Sequence, residues 1–235
     1  KERGESLIMA TIAIRGLCKS YGKNEVLRDI DLTFEEGRIY GLLGRNGVGK
    51  STLLNLITRR IFPDRGEIAV DGVPVGGPGD PLRKIYCMSE AALYPENMRV
   101  AELYRWTADF YPHFDRARAD RLTAAFGLDP KKRIKSLSTG YASIVKLIVT
   151  LSSGAEVLIF DEPVLGLDAG HRSLFYKEVL SLYGEKGCTV VLSTHIIEEI
   201  SDLLESVIIL EDCRVLASES VDGLLERYHC VSGAE

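Results

Sequence analysis

The stretch that most constrains this chain is Gly44-Arg45-Asn46-Gly47-Val48-Gly49-Lys50-Ser51-Thr52. It follows the apolar run Ile39-Tyr40-Gly41-Leu42-Leu43, which reads as a buried strand. It precedes Leu53, Leu54, Leu56 and Ile57, which form one apolar face of a helix. Strand, glycine loop and helix at the spacing G-x-x-x-x-G-K-[ST] is the arrangement that cradles phosphate groups. Gly47 and Gly49 let the backbone curl so that successive N–H groups point at phosphate oxygens. The helix N-terminus adds its partial positive charge. Lys50 reaches the outer phosphates, and the Ser51 hydroxyl is placed to ligate Mg²⁺. A glycine-rich turn matching by chance would not bring the strand and the helix with it. The chain is therefore expected to bind a nucleoside triphosphate.

Bulk properties narrow the setting. With 235 residues there is room for one α/β domain and a subdomain, with an ample core. A net charge of −5 argues against nucleic acid as the main partner, because binding it calls for a basic surface. The five cysteines are scattered, odd in number and without a CxxC pair, so they read as reduced thiols and not as a disulfide frame or zinc site. No apolar run approaches the ~20 residues of a membrane span. The charged start Lys1-Glu2-Arg3-Gly4-Glu5-Ser6 does not suit a secretory signal. Met9 fits a natural start, which would make residues 1–8 an extension.

In chain order, Thr11 to Arg15 alternates as a strand, Lys19 to Gly22 reads as a turn, and Asp29 to Phe34 alternates again. These pieces imply an N-terminal antiparallel layer. After the loop helix come a strand at Glu67 to Val70, a hairpin turn at Asp71-Gly72, a Pro/Gly-rich loop over 74–81 and a short buried strand at Ile85 to Met88. Residues 98–152 then carry helical periodicity. Leu103, Trp106, Thr107 and Phe110 share one face. Asp115 is the expected N-cap of a second helix bearing Leu122, Ala125 and Phe126. A third helix follows Ser138, with Ile144, Leu147, Ile148 and Leu151 inward. Buried strands return at Val157 to Phe160 and Thr189 to Leu192. The helix after the first of these carries Leu174, Phe175, Val179 and Leu180, and another helix is expected after His195. Strands at Val207 to Leu210 and Val215 to Ala217 and a terminal helix near Val221 to Tyr228 complete the chain. The pattern is α/β: a mostly parallel sheet with an antiparallel β layer and an inserted helical subdomain, binding ligands at strand C-termini. We expect a single domain over 9–235, with its core at 9–90 and 153–235 and the helical subdomain at about 91–152.

Asp161 and Glu162 end an apolar strand. A carboxylate there faces the phosphate loop and holds Mg²⁺, and its neighbour is placed to polarise a water for in-line attack on the γ-phosphate. His195, also at a strand end, comes within reach of the same phosphate; His113, His171 and His229 receive no role. Tyr21 is either a hairpin aromatic or a stacking platform for a purine, and the residues alone leave both open. Ser138 is most simply an ordinary cap, although the free N–H groups of its helix also suit an anion. Lys131, Lys132, Arg133 and Lys135 read as a solvated basic face.

Taken together, these residues resemble the ATP-binding subunits of ABC transporters, from about Thr11 to the end. Gly44 to Thr52 is similar to their Walker A motif, and Val157 to Glu162 to Walker B with its catalytic glutamate. Leu165-Gly166-Leu167-Asp168 resembles the D-loop, His195 the switch histidine, and Tyr21 with Val26 the adenine-stacking position. Leu137-Ser138-Thr139-Gly140-Tyr141 stands where the family carries its LSGGQ signature, with Thr139 and Tyr141 replacing glycine and glutamine. Ser138 and Gly140, kept here, contact the γ-phosphate in the family. Glu90 occupies the Q-loop position where glutamine is usual, and a carboxylate there still ligates Mg²⁺. The variants look most like bacterial ABC-2-type exporter ATPases of the YtrB-like branch. The resemblance implies ATP and Mg²⁺ as cofactors. It implies a second ATPase chain, identical or not, that completes each site, and a separate membrane permease holding the protein on the cytoplasmic face. The competing expectation is a regulatory ABC module with weak or no hydrolysis, suggested by Glu90 and Thr139. A translation-associated protein would carry two nucleotide domains, and a chromosome-maintenance ATPase would need a long coiled coil. The chain has one Walker A and no heptad run.

Overall fold

The structure is a computed structural model and describes residues 10–89 and 94–227. Its centre is a six-stranded sheet. The strands are β3 (Ile39–Leu43), β6 (Ile85–Met88), β7 (Val157–Asp161), β8 (Thr189–Thr194), β9 (Ser206–Glu211) and β10 (Arg214–Ser220), in the order β10-β9-β3-β8-β7-β6. All neighbours are parallel except the β9–β10 hairpin. Every residue of β3, β7 and β8 is buried, because layers cover the sheet on both faces.

Alternation along the strands sorts side chains between two cores. Ile39, Leu43, Leu158, Phe160, Val190 and Leu192 face the helices, while Tyr40, Leu42, Val157, Ile159 and Val191 face the other way. On that second face lies α1 (Lys50–Ile57), which presses Leu53, Leu54, Leu56 and Ile57 between the sheet and an antiparallel layer. The layer is made by β1 (Ile12–Tyr21), β2 (Asn24–Phe34), β4 (Arg65–Val70) and β5 (Val73–Pro74), ordered β2-β1-β4-β5. The first hairpin is longer than its alternation suggested. Lys19, Ser20 and Tyr21 are strand and not turn, paired out to Tyr21 opposite Asn24, and the chain reverses at Gly22-Lys23.

The helical face holds α2 (Val100–Phe110), α3 (Arg116–Ala125), α4 (Thr139–Ser152) and α5 (Ala169–Lys186). Asp115 caps α3 by accepting from the Arg118 N–H at 2.8 Å. The apolar stripe of α2 is rotated from the expected one. Val100, Leu103, Tyr104 and Thr107 are buried, whereas Trp106 and Phe110 stand 51% and 64% exposed. On α3, Ala125 is exposed. On α5, Leu180 is exposed and Glu178 is buried, held by a two-pronged pair with Arg121 at 2.7 Å for each contact.

One expected helix is absent. The segment after His195 forms two short 3₁₀ turns, Ile197–Glu199 and Ser201–Leu203. The register sets Thr194 level with Leu43 and Ser206 level with Tyr40, so the connection returns only about 10 Å along the strands at ~3.3 Å per residue, a short path that tight turns suffice to cover. The chain ends its described part with α6 (Val221–Arg227); Tyr228 and His229 lie outside it, as do residues 1–9 and Glu90.

Candidate functional site

Parallel register brings the ends of β3, β7 and β8 level: Leu43 is opposite Thr194, and Asp161 is opposite Ser193. The loop after β3 therefore faces Asp161-Glu162 and His195 across one sheet edge. At Gly44 (φ 152°) a Cβ would come 2.7 Å from the Leu210 carbonyl oxygen. At Gly49 (φ 113°) it would come 3.0 Å from that of Val26. The backbone here passes too close to its neighbours for any other residue. Gly49 is also the N-cap of α1 and supplies no capping side chain, and the first bond of the helix runs from the Leu53 N–H to the Gly49 carbonyl. The N–H groups of Lys50, Ser51 and Thr52 are thus left without intrahelical acceptors at the positive end of the helix dipole.

Lys50 is 5% exposed, which for an ammonium demands compensation. Its Nζ donates to the carbonyls of Gly44 at 2.7 Å and Arg45 at 3.3 Å and lies 3.7 Å from Glu162 Oε1. Glu162 adopts φ 47°, a left-handed conformation that a side chain other than glycine rarely takes. Its N–H donates to the Ser193 carbonyl at 3.0 Å, which fixes the twist. The carboxylate meets His195 Nδ1 at 3.1 and 3.0 Å. Lys50, Glu162 and His195 thus form one contiguous row. Beneath it, Asp161 is buried and its Oδ1 has no hydrogen-bond partner among the described residues, nor has the buried Ser193 hydroxyl. A buried carboxylate oxygen without a donor suits a hard divalent cation. The Asp161 oxygen therefore fits Mg²⁺, and the Ser51 hydroxyl in the cleft is a second oxygen of the right chemistry.

A cleft of about 420 Å³ opens over this row, lined by Val26, Asn46, Gly47, Gly49, Lys50, Ser51, Thr52, Glu162, Leu165 and His195. Gly44, Arg45 and Val48 line a neighbouring cavity instead, which shares Asn46 and His195 with the first. Val26 is in the cleft. Tyr21 is not among its lining residues: it stands half exposed at the tip of the same β1–β2 hairpin, with the Lys19 ammonium 5.6 Å from its ring centre. Ser138 and Gly140 are elsewhere, at the start of α4. The Ser138 hydroxyl accepts from the Tyr141 N–H at 3.4 Å, and a Cβ on Gly140 would come 2.9 Å from the Gly166 carbonyl oxygen. Tyr141 turns inward, its ring 6.2 Å from that of His171. Glu90 lies outside the described residues; Ser89, just before it, accepts from Lys146 Nζ at 3.0 Å.

Ser193, whose carbonyl holds the Glu162 N–H, is a part of this arrangement that the sequence did not expose, since it depends on the β7–β8 register. His171 has a structural part: its N–H and Nδ1 each lie 2.9 Å from the Asp168 carboxylate, which caps α5. That N–H holds the Asp168 carboxyl below the usual carboxylate range.

Comparison with known proteins places these features in context. The sequence matches the ABC transporter family over residues 27–165. It is 31% identical over 217 residues to the ABC transporter ATP-binding protein YtrB of Bacillus subtilis, covering 92% of this chain and 74% of that one. It is 33% identical over 229 residues to the ribose import ATP-binding protein RbsA 1 of Streptomyces coelicolor, covering 92% of this chain but only 45% of that one. Among solved structures, the ATP binding subunit of an ABC transporter superposes with a TM-score of 0.82 at 26% identity, covering 92% of each chain.

Proposed function

The chain belongs to the ABC transporter family as an ATP-binding, ATP-hydrolysing subunit that drives transport, and from that premise we propose how its site works and with whom. Two chains pair so that each ATP lies between the phosphate loop of one and the Ser138–Gly140 helix start of the other. For ATP hydrolysis the strongest support is Glu162. It sits on a left-handed backbone, between a buried ammonium and an imidazole, at the edge of a phosphate-sized cleft. In that position it accepts the proton of the water that attacks the γ-phosphate. His195 holds the carboxylate in place and faces the same phosphate. Lys50 and the free N–H groups of α1 bind the phosphate oxygens. Val26 and Tyr21 bracket the base. Asp161 and Ser51 would hold Mg²⁺, which would supply positive charge to offset that of the phosphates.

Ser138 and Gly140 lie outside the cleft of their own chain, which leaves them free to complete a partner's site. No described helix is long and apolar enough to cross a membrane; we propose that a permease supplies the transport path and place the protein on the cytoplasmic face through it. Nucleic acid is not among the proposed partners. We propose export as the direction, from the likeness of 137–141 and 161–168 to ABC-2-type exporter ATPases. The test is Mg²⁺-dependent ATP turnover with the permease in vesicles. Turnover that vanishes on chelation and is restored by Mg²⁺ is the expected result. No turnover even with the permease would favour a regulatory module, and uptake in place of extrusion would reverse the direction.

A further inference from the structure

Residues 96–101 and 130–135 lie side by side as a short antiparallel ribbon that leads into α2. The Val100 N–H donates to the Lys132 carbonyl at 3.1 Å, and the Ile134 N–H to the Met98 carbonyl at 2.9 Å. These two bonds bracket Arg99 and Arg133, which stand opposite each other as an antiparallel pair. A pair bracketed in this way, with no bonds of its own, is the kind whose side chains come closest, and like charges set directly opposite are destabilising. Neither guanidinium meets a carboxylate. Arg99 Nη1 donates to the Lys131 carbonyl at 3.0 Å, and Arg133 Nη1 to the Asn97 carbonyl at 2.9 Å. Met98 and Val100 are buried and Ile134 packs against the core, so alternation leaves Arg99, Lys131, Arg133 and Lys135 exposed on the opposite face, with Lys132 exposed beside them. The ribbon thus carries five cations, and Glu96 is its only acid. Among the described residues none of the five makes an ion pair with a carboxylate. The adjacent acids Glu102 and Asp129 accept instead from the backbone N–H groups of Arg99 and Lys131, at 2.8 and 2.9 Å. Elsewhere in the chain cations do find acids, as Lys84 does with Asp71 and Arg121 with Glu178, each at 2.7 Å.

We propose that this ribbon is a docking surface for the headgroup layer of an anionic lipid bilayer. Each Lys or Arg held near such a surface adds to the attraction, and phosphates set against Arg99 and Arg133 offset the charge that the two present to each other. The composition of the face selects this partner over two others. A protein partner would be expected to bury apolar side chains at the centre of its contact, and here Ile134 is turned away into the core. Nucleic acid would be expected to meet a wider basic surface than a chain of net charge −5 presents. A headgroup layer is an extended array of separate phosphates and calls for neither. The contact needs no nucleotide, no second chain and no permease, so it stands or falls apart from the pairing and coupling proposed above.

Co-sedimentation of the chain with vesicles tests this, using phosphatidylcholine alone and phosphatidylcholine mixed with phosphatidylglycerol. The chain is expected to bind the mixed vesicles at low salt, to leave them as salt is raised, and to ignore phosphatidylcholine alone. A ribbon variant carries Lys131→Glu, Arg133→Glu and Lys135→Glu. A control of the same net charge carries Arg83→Glu, Lys177→Glu and Arg214→Glu, three exposed cations outside the ribbon. The ribbon variant is expected to bind the mixed vesicles about a hundredfold or more weakly, and the control to lose much less. ATP affinity, measured on each variant with a fluorescent analogue, shows that both are folded. A parent chain that does not bind the mixed vesicles at low salt overturns the proposal, as does a ribbon variant that binds like the parent or a control that loses as much. Binding of the parent to polyglutamate or to a double-stranded oligonucleotide more tightly than to the mixed vesicles, and lost in the ribbon variant, would assign the face to that partner and overturn the lipid reading.

Discussion

Two helix N-termini in this molecule offer free backbone donors, and they differ in a way that assigns them different tasks. The start of α1 is capped by a buried glycine without a side chain and backed by the buried Lys50 ammonium, with Glu162 and His195 opposite. It has a cation, an acid and a cleft, and so has the parts for both binding and chemistry. The start of α4 is exposed, and its first turn contains no acid. Its cap, Ser138, makes a bond of 3.4 Å to Tyr141, beyond the usual range, so the hydroxyl is only weakly engaged within its own chain. It has donors and no chemistry. A site that is complete for catalysis and a site that is complete only for recognition are what two chains need if each lends the second to the other's first.

The sharpest way to break this contrast is at Glu162. Glu162→Gln keeps the shape and the hydrogen bonding but removes the base. Turnover is expected to fall by about 10²–10⁴-fold with ATP affinity preserved. Wild-type turnover in steady-state assay would move the chemistry elsewhere. Next in size is Ser138→Ala. Loss of a donor at the accessory end is expected to lower turnover about tenfold or more while leaving the ATP affinity of the isolated chain unchanged, and it costs the helix about 1 kcal/mol as a lost cap. An equal loss of affinity in titration of the dilute protein would place Ser138 in its own chain's cleft.

A smaller effect probes the packing of the helical face behind the site. Arg121 on α3 grips Glu178 on α5, the helix that starts at Asp168 beside the cleft, and this guanidinium holds the Glu178 carboxyl below the ordinary glutamate range. A carboxyl lowered on folding contributes stability that is fully present above its unfolded value of 4.5 and is lost as pH falls through the lower folded value. Glu178→Gln is therefore expected to be less stable than wild type at neutral pH, with the gap narrowing in melts taken below pH 4.5. A gap that stays constant with pH would show that the pair holds no charge-dependent stability.

Much of the catalytic half was legible in the sequence, because each of its parts is local. The glycine spacing around Lys50 and the acids at the end of an apolar strand need only a few neighbouring residues to be read. What was hidden depends on register and on which face turns inward. The Ser193 carbonyl that twists Glu162 is found only once β7 and β8 are laid side by side. Trp106 and Phe110 read as core because their spacing is helical, yet the buried stripe of α2 is centred on Val100 and Tyr104. The helix expected after His195 gives way to two short 3₁₀ turns, and helical spacing over so few residues does not tell the two forms apart. The inward turn of Tyr141 onto His171 accounts for a large ring at the start of α4, which a motif comparison records only as a departure.

The central claim is that a working site takes Lys50 from one chain and Ser138 from another, and complementation between inactive chains tests it most directly. Lys50→Ala and Ser138→Ala proteins are assayed for ATP turnover alone and after mixing in equal amounts. If the halves are shared across chains, each mixed dimer holds one site with both residues intact, and turnover rises well above either parent, toward about a quarter of wild type for random pairing. A mixture that stays at the level of its separate components, under conditions where mixed dimers are seen to form, would place both halves within one chain and contradict the account.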